Sequence, residues 1–142
     1  MKPHFVLFSL CIVLFATSCR TPKLVQKPSE IRKLEIHKEQ FIGKSLKTLL
    51  EEINPPIKRV TATPSINIQS YVGNFHFYFM DSKAYDSTRN KGEIPLYLVV
   101  YVKEYFDWDF QKRPKGKETV WTAEDVKKYE NLTIVGIRIH GG

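Results

Sequence analysis

The chain has 142 residues, of which 42% are hydrophobic and 26% charged, and a formal net charge of +7 at pH 7. This length predicts one domain built around a single hydrophobic core. The excess of positive charge either keeps that domain soluble or meets an acidic partner. No Gly-x-Ser-x-Gly elbow, phosphate-binding loop or dinucleotide fingerprint occurs, which excludes the enzyme classes that depend on them.

Residues 1–18 have the pattern of an export signal. A basic start at Lys2 precedes an apolar run, residues 5–15, and small residues at 16–18 lead to Cys19. A permanent membrane span needs about 20 apolar residues, so the run is too short for one. It fits a secretory h-region of about 7 to 15 residues, and we expect cleavage before Cys19.

The segment Ala16-Thr17-Ser18-Cys19 resembles the cleavage site of bacterial lipoproteins, in the looser Bacteroidetes form that has Ala16 where Leu is usual. The resemblance to small envelope lipoproteins implies that Cys19 takes a diacylglyceryl group and further fatty acid such as palmitate. It also implies an anchor in a bacterial membrane, by expectation the outer membrane, on its periplasmic or outer side. The alternative is a cut by the general signal peptidase at the same bond, which leaves Cys19 unmodified.

The mature chain is expected to hold one thiol, because Cys11 lies in the discarded segment. An intrachain disulfide, a Cys-based metal site and a Cys nucleophile are therefore excluded. The mature histidines are His37, His76 and His140, whose spacing does not suit zinc. We expect no metal and no cofactor.

Residues 19–39 are interpreted as the lipidated cysteine and a tether, and residues 40–142 as the domain. The stretch 20–28 has two prolines, three cations and no apolar period, which is typical of a solvated linker. The apolar residues that follow, up to residue 40, match neither helical nor strand spacing.

A helix is predicted from four apolar residues spaced as one helical face: Leu46, Leu49, Leu50 and Ile53. Asn54-Pro55-Pro56 ends it, because proline lacks the N–H that the helix needs. The preceding segment, residues 41–45, resembles the Gly-x-Ser/Thr helix openings of small lipoproteins that assist outer-membrane assembly. That resemblance implies two helices and three strands, and it assigns no functional residue.

Strands are predicted over residues 60–63, as an edge strand, and over 66–72 and 75–80, joined by a hairpin turn at Gly73-Asn74. A long strand is predicted over residues 94–106. Its even positions are expected to be buried: Leu96, Leu98, Val100 and Val102. Its odd positions include a row of tyrosines whose hydroxyl groups are expected to face solvent: Tyr97, Tyr101 and Tyr105.

A second, short helix is predicted to start at Thr122 as N-cap and to end near Asn131. The acids Glu124 and Asp125 suit the positive end of the helix dipole. Trp121 is expected to pack against Val126 as a hydrophobic staple. A last strand, residues 133–139, places three apolar residues on one face: Val135, Ile137 and Ile139. The sequence predicts an α+β domain with a four- to five-stranded, mainly antiparallel sheet, one packed amphipathic helix and one short second helix.

Two long polar loops, residues 81–93 and 107–120, are natural places for function. The second has Trp108 beside four cations: Lys112, Arg113, Lys115 and Lys117. With the tyrosine row, these residues form the candidate binding set for an acidic glycan or an acidic protein surface. Nucleic acid is excluded by export. By register, however, Trp108 continues the buried even positions with Phe106 and Phe110, so its default role is core packing, and the binding role applies if the strand ends before it.

Asp107 and Asp109 are the candidate catalytic pair. On a continuing strand their carboxylates would lie about 7 Å apart, as in an inverting glycosidase. The alternative is that the two carboxylates at the end of a strand are simply solvated.

The leading hypothesis is a non-catalytic envelope lipoprotein that presents a sheet or loop surface to a protein or glycan. The alternatives are a hydrolase of envelope polysaccharide and an inhibitor or immunity-type lipoprotein.

Overall fold

A computed structural model describes residues 21–65 and 72–142. The predicted signal segment, Cys19 and all of the predicted strand 66–72 except Val72 lie outside this part of the chain. The architecture is a four-stranded antiparallel sheet with helices, which confirms the α+β class. The strands are β1 (Arg59–Thr63), β2 (Gly73–Tyr78), β3 (Tyr97–Val102) and β4 (Ile134–His140), and the α-helices are α1 (Arg32–Ile36), α2 (Leu46–Glu51), α3 (Ser82–Asn90) and α4 (Ala123–Tyr129).

The sheet is a meander in which each strand pairs with the next along the chain, in the order β1-β2-β3-β4. Its inner face carries the core, with Phe75 and Phe77 on β2 fully buried. On β3 the predicted alternation is confirmed for Leu98, Val100 and Val102, which are all fully buried. The strand ends at Val102, however, and is shorter than the predicted strand 94–106.

Both predicted helices form where their capping residues indicate. Ser45 accepts a hydrogen bond from the Thr48 backbone N–H, and α2 buries Leu46 and Leu49. Thr122 caps α4 in a capping box, in which its hydroxyl and the Asp125 carboxylate each accept a bond from the other residue's backbone N–H. These bonds satisfy N–H groups that the first helical turn leaves without partners.

The predicted tether is corrected, because much of it is part of the folded domain. Val25, Ile31 and Leu34 are fully buried in the core. The Val25 backbone N–H donates to the Glu52 carbonyl at 3.0 Å, and the Asn54 N–H donates to the Val25 carbonyl at 2.8 Å. The sequence did not assign Leu34 to a helix because α1 is only five residues long, which is too short to show a helical period.

The predicted Gly73-Asn74 turn is wrong, because both residues lie in β2, opposite Val102 and Tyr101 of β3. Gly73 does not serve a turn. A Cβ atom there would lie 2.6 Å from Cε1 of Phe106 and 3.0 Å from the backbone nitrogen of Ser65. Glycine is required because the Phe106 ring packs directly against the strand.

The segment 81–93 is not the long loop that was predicted, since α3 occupies most of it. Asp81 caps α3 by accepting a bond from the Ala84 N–H at 2.9 Å. No residue of α3 is buried, so the helix has no apolar stripe by which the sequence could have revealed it.

The predicted inner face of the last strand is wrong at Val135. A β-bulge pairs Val102 with Ile134 but Tyr101 with Gly136, so Val135 is the extra residue. Ile134 is fully buried in its place, whereas Val135 is 42% exposed. Ile137 and Ile139 are buried, as predicted.

We predict that Gly73→Ala lowers the free energy of unfolding by about 1 to 3 kcal/mol, because the added methyl group overpacks the Phe106 contact. The control is Gly136→Ala, whose Cβ would meet only the Tyr101 side chain, at 3.2 Å. A side chain on the outer surface can move, so the control should stay within about 1 kcal/mol of wild type. Urea denaturation measures both variants. Equal stability of Gly73→Ala and wild type would contradict this account of Gly73.

Candidate functional site: the open face of the sheet

The face of the sheet opposite the core, called the open face here, consists of three rows of residues that cross all four strands; two of them, Tyr78 and Val99, are buried. The register places Arg59, Tyr78, Tyr97 and His140 in the first row, Thr61, His76, Val99 and Arg138 in the second, and Thr63, Asn74, Tyr101 and Gly136 in the third. Directly paired residues of antiparallel strands share a face, so each row is continuous across the sheet.

The first row contains a ladder of stacked rings. The Tyr78 and Tyr97 ring centroids are 4.9 Å apart with an interplanar angle of 28°, and those of Tyr97 and His140 are 5.3 Å apart at 19°. His76 stacks on Tyr97 from the second row, also at 5.3 Å. Because neighbouring rings cover one another's faces, the ladder presents ring edges and polar ring atoms outward.

Arg59 lies at one end of the ladder, clamped between two tyrosines. Its guanidinium carbon is 5.0 Å from the Tyr78 ring centroid and 4.1 Å from that of Tyr85 on α3. Its Nε and Nη1 atoms are buried without a hydrogen-bond partner. In residues 21–65 and 72–142, no carboxylate forms an ion pair with this guanidinium. Aromatic faces therefore stabilise a positive charge that no described acid neutralises.

The rows of the open face contain two arginines, two histidines and no acidic residue. Burial, with a smaller repulsion from His140, lowers the pKa of His76 below its usual value of 6.5. Burial also raises the pKa of Tyr78, so its hydroxyl stays protonated. At neutral pH Arg59 and Arg138 carry positive charge on this face, and the lowered pKa leaves His76 uncharged.

The predicted tyrosine row is only partly on this surface. Tyr97 belongs to the first row and Tyr101 to the third. Tyr105 lies beyond the end of β3 and is 70% exposed, outside the rows.

Trp108 packs against the core, as its even position in the sequence predicted, although β3 ends at Val102. Its ring meets that of Phe75 edge-on, with centroids 6.0 Å apart, and the Arg113 guanidinium covers it at 4.2 Å. Phe106 is buried as well, whereas Phe110 is 52% exposed and does not join the core.

The cations of the second loop have different environments. Arg113 donates to both carboxylate oxygens of Asp125, each at 2.8 Å, and to the Val120 carbonyl. Lys112 pairs with Asp109 at 3.0 Å. Lys115 and Lys117 are exposed. Trp108 and Arg113 thus hold the loop against the start of α4.

Asp107 and Asp109 do not form the strand-borne pair that their spacing predicted, because β3 ends at Val102. The Asp109 carboxylate accepts a bond from the Gln111 N–H at 3.0 Å and caps a 3₁₀ turn over residues 110–112. Its bond with Lys112 lowers the pKa of Asp109. A glycosidase general acid needs a raised pKa, so this shift has the opposite direction.

The candidate binding set from the sequence left out five residues of the open face: Arg59, His76, Tyr78, Arg138 and His140. The alternation along β2 and β4 was a visible signal for the last four. Only the register between strands shows that they form continuous rows with Arg59.

Within the described residues, no three His, Cys, Asp or Glu side chains form a group that could hold a metal ion. No helix in this part of the chain has the length and apolar character needed to cross a bilayer. The chain matches no protein-family model, no curated protein and no solved structure. Function is therefore inferred from the chemistry of the open face.

We predict that Asp125→Asn destabilises the protein by about 3 kcal/mol or more, because it leaves the Arg113 charge buried without its partner. The control is Glu124→Gln, an exposed residue one position away. Burial favours protonation of Asp125, but bonds from Arg113 and Thr122 outweigh it and hold its pKa below the ordinary 3.8.

The stabilisation by Asp125 is therefore fully present above that ordinary pKa and is lost as the pH falls through the lower pKa of the folded state. Urea denaturation at about pH 7 and at decreasing pH below 3.8 should show a difference between wild type and Asp125→Asn that is largest at pH 7 and shrinks as the pH falls. A difference that stays constant as the pH falls would contradict the ion-pair explanation.

We predict that NMR titration finds the His76 pKa below 6.5, and that His140→Gln raises it by removing the repulsion between the imidazoles. Because the folded pKa is the lower one, the unfolded state binds more protons between the two values. The free energy of unfolding should therefore fall as the pH drops from about 6.5 to the folded pKa. A His76 pKa at or above 6.5 would show that the ring is not desolvated on this face.

Proposed function

We propose that the chain is a non-catalytic bacterial envelope lipoprotein, anchored through Cys19, that binds an acidic protein through the open face of its sheet. The observation that carries the proposal is the composition of the three rows, which have two arginines and no acid across four strands; Lys38 and Glu39 offset one another where they border Tyr101 and Arg138 at the edge. Electrostatic complementarity of this kind selects partners and speeds their encounter. The anchor and the envelope location rest on the lipoprotein resemblance of residues 16–19.

The ladder geometry favours a protein partner over a glycan. A sugar ring stacks on an aromatic face, but the faces of Tyr97 are covered by Tyr78, His76 and His140. Ring edges carry the positive end of the aromatic quadrupole and, with the hydroxyl and imidazole N–H groups, suit carboxylates. Acidic side chains on a partner would meet these groups and Arg138.

The alternatives receive less support from the geometry. A hydrolase that uses Asp107 and Asp109 receives little support, because β3 ends before both residues and the pKa of Asp109 is lowered, whereas a general acid needs a raised pKa. An inhibitor or immunity-type lipoprotein remains compatible with the open face, because many hydrolase clefts are acidic. It would be one form of the same binding function.

The test uses the lipidated protein, purified with its partners from solubilised envelope. Mass spectrometry of the mature N-terminus should find Cys19 as the first residue, carrying a diacylglyceryl group. Arg138→Glu should weaken binding of the co-purified partner at least about tenfold, because it brings like charges together. Lys117→Glu makes the same change of charge on an exposed loop residue outside the rows and should keep the partner.

Partner binding that is equal for Arg138→Glu and Lys117→Glu would refute the open face as the binding surface. A partner fraction that contains acidic glycan and no protein would refute the choice of partner. Hydrolysis of envelope polysaccharide that Asp107→Asn with Asp109→Asn abolishes would refute the non-catalytic assignment.

A further inference from the structure

The folded domain begins very close to the expected membrane anchor. Val25 is fully buried and forms a parallel bridge with Ile53, so the chain is held in the core from that residue onward. A fully extended chain spans at most about 3.6 Å per residue. The Cα atom of Val25 therefore lies within about 22 Å of that of Cys19, and Lys23 lies within about 14 Å.

An apolar groove of about 360 Å³ lies beside this N-terminal segment, between α2 and α4. Its apolar lining consists mainly of Leu50, Pro55, Pro56, Ile57, Trp121 and Val126. Lys23 is also in the lining, and its ammonium group donates to the Ile53 carbonyl at 3.4 Å. The core holds Trp121 in place in the groove, because the Trp121 ring packs edge-on against Phe77 with centroids 5.1 Å apart. The groove is thus on the helix side of the sheet, opposite the open face.

We infer that this groove rests on the bilayer, at the level of the lipid head groups. The inference depends on the proposed lipidation of Cys19. The acyl chains hold Cys19 at the membrane interface, where the head-group layer is about 5 to 8 Å deep. A reach of about 14 Å to Lys23 keeps the groove at or just above that layer. Tryptophan and lysine are the side chains that suit this boundary.

The chemistry of the groove identifies the apolar part of the interface, and not anionic lipid, as the occupant. Lys47 pairs with Glu130 at 3.7 Å. The lining contains one further cation, Lys23, and one further acid, Glu51, so the charges of the groove sum to about zero. A second cleft on the other side of the segment is lined by Gln40, Lys44 and Thr48 and is the more polar of the two. The anchor raises the local concentration, so even a modest apolar contact suffices for docking.

The experiment places one fluorescent label on the lipidated protein in phosphatidylcholine vesicles. Cys19 is the only mature cysteine in the sequence and lipidation blocks its sulfur, so an introduced cysteine is the single reactive thiol. Glu51→Cys and Pro56→Cys place the label at the groove, and Arg138→Cys and His140→Cys place it on the open face. All four positions are exposed, so each variant should fold.

Lipids with a nitroxide near the head group should quench the groove labels at least about twofold more than the open-face labels, because only the groove reaches the interface. Replacing a third of the lipid by an anionic one should leave this ratio unchanged. Equal quenching at all four positions, or stronger quenching at Arg138→Cys, would overturn the inference. A ratio that appears only with anionic lipid would also overturn it.

The same samples separate this inference from the proposed function. If mass spectrometry finds the lipid on Cys19 while the groove labels stay unquenched, the docking inference fails and the anchor stands. If Cys19 carries no lipid, the proposed anchor fails and the docking inference fails with it.

Discussion

The ring of Phe75 is the contact on which the rest of the structure depends. It packs against five other rings, from β2, from the segment after β3, from just before α4 and from the last residue of α4: Phe77, Phe106, Trp108, Trp121 and Tyr129. Each such pair contributes about 0.5 to 1.5 kcal/mol beyond the burial of area. The second loop and α4 are held to the sheet through this cluster. Gly73, two residues before Phe75, leaves the space that Phe106 needs.

The same strand register that builds this cluster also builds the ladder on the opposite face. The arginines on the two faces differ in whether an acidic side chain neutralises their charge. Arg113 covers Trp108 and has Asp125 as a partner, so its charge is neutralised inside the fold. Arg59 is clamped between Tyr78 and Tyr85, and two of its buried nitrogen atoms have no hydrogen-bond partner. A buried donor without a partner lowers stability by about 1 to 3 kcal/mol. Arg113 has the same defect at its Nε atom, so Arg59 differs from it in lacking an acidic partner among the described residues.

The parts of the fold that the sequence predicted depend on neighbouring residues along the chain. Leu46 and Leu49 share a helical face, Thr122 and Asp125 form a capping box, and Leu98 alternates with outward residues on β3. The parts that it missed depend on residues far away in sequence. Gly73 is explained by Phe106, and Val135 is displaced by the bulge opposite Val102. No local pattern reveals either contact.

The candidate site shows the same limit. Tyr97 and Tyr101 were predicted from the alternation within one strand. The ladder requires knowledge of which residues lie opposite them, and pairing with β2 and β4 supplies His76 and His140. Trp108 and Arg113 were chosen for their chemistry, which suits a ligand and a folded core equally well. Only the position of Asp125 beneath Arg113 distinguishes the two uses.

The burial of Val25 also bears on how the open face would reach a partner. A long solvated tether would let the domain turn freely, and any surface could then meet a partner at any height. With the chain held in the core from Val25, a lipid on Cys19 keeps the domain at the membrane and restricts its rotation. Under the two proposals, the helix side rests on lipid and Arg138 points away from it. The partner would then be an acidic protein that approaches the same membrane surface from the aqueous side.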